Sequence, residues 1–525
     1  MKGKRYLTIA IVVMLTALAG GWNLFFRLPN PIDIKMKSSS PVEKPVILLM
    51  IDSLMHKPLQ EVIRDGRAPA LAFLLKHGRY FPKMVSSFPT MSVTIDATLL
   101  TGTYPDLHRV PGLVWYDAAE NRIVNYGSGG IRETLKTGLG QMLYDSLYNL
   151  NNVHLSRNVK TIHEELAAKG KASASVNALI YRGKTPHILH TSAMIPVDKT
   201  FPARLKTFGP EWFSLGVLSQ IEPDSRYHHA WKKFGFNNKF AADEIKYLIQ
   251  KRKLPAFTIA YFPELDQAIH KKGITVTREI ERADRQIQEI FAAYGSWETA
   301  LKEAIWIVMG DSGQTSIGGE RKEALIDLPS LLSSYRIAEE GKPARKTDQI
   351  VLGFNERMAY VYALDERLSL SEIARSLQKD KRIDVIAWKE GSFIRIVNGG
   401  KEGGFFYRRN GRYIDTYGQT WSMQGDASVL DLSVTGNRIA YGSYPDGLAR
   451  LYGALHSHPG RYLILTARPG CELTGPSIHT HINGAGHGSL HEQDSLVPLI
   501  VSGTDLSPKH LRIVDMKDWI LRLIH

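Results

Sequence analysis

Three segments of this chain read as apolar strands that stop on an aspartate: VILLMIDS at 46–53, FTIAYFPELD at 257–266 and AIWIVMGDSG at 304–313. A continuous apolar run of this length suits a strand buried on both faces, as in a parallel sheet covered by helices. A carboxylate at the end of such a strand lies at the carboxyl edge of the sheet, where open α/β folds collect their active sites. A fourth segment, GAGHGSLHEQDSLVPLIVSG at 484–503, places His487 shortly before another apolar run. Three carboxylates and an imidazole delivered in this way predict a metal cluster.

Strand and helix patterns alternate from Pro45 onward. Helices are expected over 68–77, 161–169, 240–250 and 277–294, with a buried strand over 172–180. In the 277–294 segment Ile280, Ala283, Ile287, Ile290 and Phe291 share one face and charges occupy the other, which marks an amphipathic surface helix. Such alternation puts helices on both faces of a mostly parallel sheet. The expected fold class is therefore α/β, a three-layer α/β/α catalytic domain over 45–525. Residues 86–117 read as irregular. So does an insertion at about 182–235, rich in Pro, His, Trp and Phe. Residues of about 345–450 mix short alternating strands with a helix at 369–378 and read as an inserted α+β subdomain. RYLILTAR and LVPLIVSG follow it as the apparent last elements of the core.

The N-terminus reads as an export signal. Lys2, Lys4 and Arg5 precede an apolar stretch from Tyr6 to Phe26, about long enough to span a bilayer as one helix. Basic residues stay on the cytoplasmic side, which sends the rest of the chain outside. Residues 1–27 are thus a signal anchor at the cell membrane with an extracytoplasmic catalytic domain. Ala17-Leu18-Ala19 leaves open a cleaved signal peptide and a secreted protein. Residues 28–44 form a Pro/Ser/Lys-rich linker. The net charge of +14 suits an anionic lipid or cell-wall surface or a phosphate-bearing substrate. No Lys/Arg run interleaved with aromatics appears, so nucleic acid is not an expected partner. Cys471 is the single cysteine, which excludes an intrachain disulfide and any multi-cysteine metal site.

Asp266 and His270 stand four residues apart, so in a helical turn both converge on one side. Asp52, Asp266, Asp311, His270 and His487 are suitable ligands for Zn²⁺ or Mn²⁺. Two ions about 4 Å apart would clamp the attacking and leaving oxygens of a displacement at phosphorus. A hydroxyl activated there could form a covalent intermediate.

The order of these segments resembles the alkaline phosphatase superfamily, in its type I phosphodiesterase/nucleotide pyrophosphatase branch. The resemblance runs from about Val46 to Gly503. It is carried by the Asp52 strand, FPTMSVTIDATLLTGTYPDLH at 88–108, PELDQAIH at 263–270, MGDSG at 309–313, and HGS with VPLIVSG at 487–503. The resemblance implies two divalent ions, Zn²⁺ first and Mn²⁺ or Mg²⁺ as alternatives. Asp266, His270 and His487 would hold one, and Asp52 and Asp311 the other. Ser92 would bridge both as the nucleophile, with Thr90 as the alternative. The implied activity is hydrolysis of phosphate esters, most of all diesters. Alternatives are a catalytically degenerate binder of phosphate-bearing wall or lipid ligands and a transferase of phosphoryl-linked head groups.

Two departures stand out. Ser312 occupies the position where the family carries a metal-binding histidine, and Gln314, His479, His481 and His491 are the candidates to stand in for it. Leu113 occupies the position of the asparagine with which many nucleotide pyrophosphatases hold a phosphate oxygen, which speaks against a specialised nucleotide pyrophosphatase.

Overall fold

The computed structural model describes residues 44–128, 136, 138–191, 202–225, 230–400 and 402–524. The expected anchor over 1–27 and all but the last residue of the linker lie outside them. No helix among the described residues is long and apolar enough to cross a membrane.

Among the described residues, the main sheet has seven strands. In chain order they are β1 (Val46–Ile51), β2 (Gly78–Val85), β3 (Ser173–Val176), β4 (Trp212–Ser214), β5 (Phe257–Phe262), β6 (Ile305–Met309) and β7 (Leu496–Ser502). Their spatial order is β2-β7-β6-β1-β5-β3-β4. β1 pairs in parallel with β6 on one side and β5 on the other. β3 continues the parallel set between β5 and β4, while β7 runs antiparallel to β6 and β2. The mostly parallel sheet read from the sequence is thus present.

Successive side chains of a strand point to opposite faces, and β1 feeds two cores accordingly. Val46, Leu48 and Met50 join Ile307, Met309 and Ile259 on one side. Ile47, Leu49 and Ile51 join Ala260, Phe262, Trp306 and Val308 on the other. The second core is covered by the helices Pro69–Lys76 and Asn238–Gln250 and by the amphipathic helix Arg278–Ala292, whose Ile280, Ala283, Ile287, Ile290 and Phe291 are all buried as expected. The first core is covered by α1 (Ser92–Thr101) and the helices Ile162–Ala168 and Met516–Leu523.

Three stretches differ from the sequence reading. The segment read as irregular contains α1, whose residues from Val93 to Thr101 are all buried. A helix buried on every side has no amphipathic period, so periodicity does not find it. The insertion at about 182–235 contains an antiparallel hairpin, Thr185–Leu189 with Leu205–Gly209, and supplies β4 to the main sheet. RYLILTAR does not join the main sheet. Its strand Tyr462–Ala467 pairs antiparallel with Met358–Ala363 and Ile383–Glu390 inside a second, nine-stranded sheet. A strand buried on both faces looks apolar in either sheet, so its composition does not choose between them.

Candidate active site

The strand order brings the three aspartates together. β6, β1 and β5 are neighbours running in one direction, and their carboxyl ends share one edge. Asp52 follows β1 directly and Asp311 follows β6 after Gly310. Asp266 lies in the first turn of α2 (Glu264–Lys272), just beyond β5. Ser53 ties them together from a left-handed backbone conformation, φ 59°. Its N–H donates to Asp311 Oδ1 at 2.9 Å and its hydroxyl donates to Asp266 Oδ1 at 2.9 Å. A serine held there carries a backbone cost of about 1 kcal/mol or more, a kind of strain that collects at functional sites.

One half of the site is Asp266, His270 and His487, whose ligand atoms all lie within 4.8 Å of one another. The i,i+4 spacing on α2 puts His270 Nε2 3.1 Å from Asp266 Oδ1, and His487 Nε2 is 3.7 Å from the same oxygen. His487 arrives from far along the chain because Ala485–Gly486 pairs antiparallel with Thr315–Ser316, just past Asp311. Close backbone approach allows this: a Cβ on Gly484 would sit 1.9 Å from the His270 carbonyl oxygen. His270 Nδ1–H donates to the Ala485 carbonyl at 2.8 Å, and His487 Nδ1–H donates to that of Thr90. Both imidazoles therefore turn Nε2 toward the shared space, as metal-ligating histidines with a backbone partner on the other nitrogen do.

The other half is Asp52, Asp311 and Ser92. Ser92 opens α1, and its Oγ donates to Asp311 Oδ2 at 2.9 Å. Asp311 Oδ1 accepts the N–H groups of Ser53 and Ser312. Asp52 Oδ2 accepts the Tyr261 hydroxyl, while its Oδ1 is buried with no partner among the described residues. Ser312 is fully buried and its Oγ lies 3.4 Å from Ser53 Oγ.

Of the four stand-ins for the missing histidine, Gln314 reaches the site. Its Nε2 donates to Asp266 Oδ1 at 2.6 Å and to Ser53 Oγ at 2.9 Å, and its Oε1 is buried with no partner among the described residues. His481 stacks on His270 with ring centroids 4.3 Å apart, on the side of the first half. His479 lies against His481, and His491 caps the short helix Glu492–Ser495.

Burial and crowding set the electrostatics of the site. Burial and the neighbouring Asp266 and Asp311 carboxylates push Asp52 well above its ordinary range. Burial also raises Asp311. Burial opposes ionisation of Asp266, but the His270 and His487 imidazoles and the Ser53 hydroxyl hold it low. His270 is raised to about 10, because Asp266 and Glu356 overcome the opposing effect of burial. Crowded buried carboxylates, one oxygen without a partner and two Nε2 atoms facing inward fit divalent cations.

The two candidate nucleophiles differ in setting. Ser92 is half-buried and its hydroxyl faces the carboxylates. Thr90 is fully buried, with its hydroxyl accepting the Gly488 N–H at 2.7 Å and donating to the Ser489 carbonyl. Leu113 is half-buried, and its N–H donates to Asn355 Oδ1. Sequence reading passed over Ser53, Tyr261 and Glu356. Glu356 Oε2 accepts the His487 N–H, and Oε1 lies 3.7 Å from His270 Nε2. Ser53 alone left a trace in sequence, as the residue after a strand-ending aspartate.

Solved structures share this architecture. Murine ectonucleotide pyrophosphatase/phosphodiesterase 5, as an inactive threonine-to-alanine variant in complex with AMP, superposes with a TM-score of 0.53 at 12% identity, covering 92% of this chain and 95% of that one. Phosphonoacetate hydrolase from Sinorhizobium meliloti, in complex with phosphonoformate, gives 0.53 at 15% identity, covering 94% and 98%. At such identities the likeness speaks for the fold. No curated protein matches the chain in sequence. The family model for type I phosphodiesterase/nucleotide pyrophosphatase matches residues 46–390. The chain belongs to that family, within the alkaline phosphatase superfamily, and is a hydrolase of phosphoric ester bonds.

Proposed function

We propose that the chain is an exported, metal-dependent phosphodiesterase that works through a covalent phospho-Ser92 intermediate. The observation that carries this reading is the hydrogen bond from Ser92 Oγ to Asp311 Oδ2, 2.9 Å, at the first turn of α1. The hydroxyl already directs its proton at a carboxylate oxygen. The Thr94 and Ile95 N–H groups return to the Met91 carbonyl, so the donors that the first turn of α1 would offer a phosphoryl oxygen are those of Ser92 and Val93. Ser92 Oγ bonds to phosphorus, the bond from phosphorus to the leaving oxygen breaks, and that oxygen takes up a proton. Water then cleaves the Oγ–P bond and restores the hydroxyl. Thr90, with its hydroxyl engaged by Gly488 and Ser489, is a positioning residue for the His487 loop.

Asp266, His270 and His487 would hold one cation, and Asp52, Asp311 and Ser92 the other. Divalent ions there would offset the carboxylates, polarise the phosphoryl oxygens and favour the ionised hydroxyl of Ser92. The first set, with two imidazoles, suits Zn²⁺. The second has only oxygens, Ser312 standing in place of an imidazole, and suits Mn²⁺ or Mg²⁺. The complexes of the two relatives with AMP and phosphonoformate support recognition of a phosphoryl or phosphonyl group. With no side-chain donor at Leu113, the favoured substrates are diesters other than nucleotides. The N-terminal segment and the charge of +14 support a membrane-tethered enzyme acting outside the cytoplasm at an anionic wall or lipid surface.

Turnover of aryl phosphate mono- and diesters, measured with the bound metals counted, tests the reading. Ser92→Ala is expected to lower kcat by about a thousandfold or more. Thr90→Val is expected to retain turnover at a reduced level. Phosphate-ligand binding without turnover under any of Zn²⁺, Mn²⁺ and Mg²⁺ would instead favour the degenerate binding protein, for which Ser312 is the motivating residue. Transfer to an added acceptor in preference to water would favour the transferase.

A further inference from the structure

The fold by itself does not account for Glu356. It sits in the two-residue turn between the strands Ile350–Asn355 and Met358–Ala363 of the second sheet. Its φ is 56°, in the left-handed region that such turns fill with Gly, Asn or Asp. A glutamate there is strained, and strained residues persist where the surroundings fix them for a purpose.

Both carboxylate oxygens are directed at the first half of the active site. Oε2 accepts the His487 N–H at 3.0 Å. Oε1 lies 3.7 Å from His270 Nε2 and 4.0 Å from His487 Nε2. These are the two nitrogens that face Asp266 Oδ1 at 3.1 and 3.7 Å. In a tetrahedral site with metal–ligand bonds near 2.0–2.1 Å, neighbouring ligand atoms stand about 3.3 Å apart. Glu356 Oε1 thus stands within 4.0 Å of both nitrogens that face Asp266, and a shared ion would draw these separations toward that value.

The surroundings reinforce the arrangement. His481 stacks on His270, and its ligand atom lies within 4.8 Å of those of His270 and Glu356. Its Nδ1–H donates to the buried Glu472 at 2.7 Å, which fixes the ring and turns Nε2 away from Glu472. The His270 Nδ1–H is committed to Ala485, so His270 can offer only one nitrogen and only one ion can use it.

We propose that Glu356 is a fourth protein ligand of the ion held by Asp266, His270 and His487. The proposal rests on the metal-dependent reading above and adds to it. Two carboxylates and two imidazoles would offset both charges of a divalent ion, and a fifth position would leave it open to a phosphoryl oxygen. The second half, with Ser312 and no imidazole, would bind its ion more loosely. The two ions would then differ in role, one resident and one exchangeable.

The test is metal binding by the full-length chain, read by competition with a chromophoric chelator and by the visible absorption of the Co²⁺-loaded protein. Glu356→Gln keeps an amide oxygen to accept the His487 N–H but loses the anionic ligand. The expected result is a loss of at least about tenfold in affinity for the tighter ion. A changed Co²⁺ spectrum should accompany it, with the metal-free protein still unfolding in one cooperative transition. Wild-type affinity and spectrum in Glu356→Gln would overturn the ligand role while leaving the metal-dependent reading intact. A wild-type chain that holds no ion would overturn both. If Glu356→Gln fails to fold, Glu356→Asp replaces it: the carboxylate retreats by one methylene, the same tenfold loss is expected, and unchanged affinity overturns the proposal.

Discussion

At the scale of single residues, the site is governed by which atom each side chain leaves free. His270 and His487 spend Nδ1 on backbone carbonyls and keep Nε2 for the shared space. Thr90 and Ser92 are both hydroxyls two residues apart, and their neighbours separate them. The Thr90 hydroxyl is committed to Gly488 and Ser489, whereas that of Ser92 faces Asp311. His270 also sets a pH dependence. In the metal-free protein its proton is held up to about 10 by Asp266 and Glu356 against the opposing effect of burial. The raised value contributes stability to the metal-free state that is full below about 6.5 and is lost as pH rises toward 10. An ion entering this half must displace that proton. Apparent metal affinity should therefore rise about tenfold per pH unit between 7 and 9, with close to one proton released per ion. Titration calorimetry in buffers of different ionisation enthalpy reads both quantities, and a flat profile would contradict the assignment of His270 as a ligand.

At the scale of elements, the site depends on segments clamped from behind. Arg357 and Asp494 form an ion pair with both side chains fully buried. Asp494 also accepts the Thr315 hydroxyl and the Ser489 N–H, and Arg357 donates to the Ala467 carbonyl. One pair thus joins the turn carrying Glu356, the segment after Asp311 and the loop carrying His487. Asp494→Ala would leave a buried guanidinium without its counter-charge, a change that costs about 3–5 kcal/mol. The expected outcome is a denaturant midpoint lowered to match and weakened metal binding at the His487 half. A midpoint close to wild type would show that the clamp carries no weight. Little of this was legible beforehand, because a buried pair far apart in sequence leaves no periodic pattern. The helix Arg278–Ala292 was fully legible because one face meets water, while α1, buried throughout, was not.

At the scale of the whole molecule, the two sheets share a core. One hydrophobic cluster contains Leu48 and Ile307 of the main sheet, Val93 and Leu99 of α1, and Tyr360, Tyr462 and Ile464 of the second sheet. Elements that share a core should unfold together, and the metal site at its edge should couple to that transition. A free ion at a hundred times its Kd stabilises the folded state by about 2.7 kcal/mol. Chelation is therefore expected to lower the melting temperature by several degrees in calorimetry while leaving a single transition. Two separated transitions would show that the sheets are independent units. The sequence by itself determined the α/β class, the strands that end on Asp52 and Asp311, the Asp266–His270 pair and the family motifs, because these rest on local composition and spacing. Tertiary structure decided the rest: that β6, β1 and β5 are neighbours, that RYLILTAR joins the second sheet, that Ser92 faces Asp311 while Thr90 does not, and that Gln314 and Glu356 enter the site. Strand order and side-chain partners arise from contacts between residues hundreds of positions apart, and no local pattern encodes which distant segment will close against which.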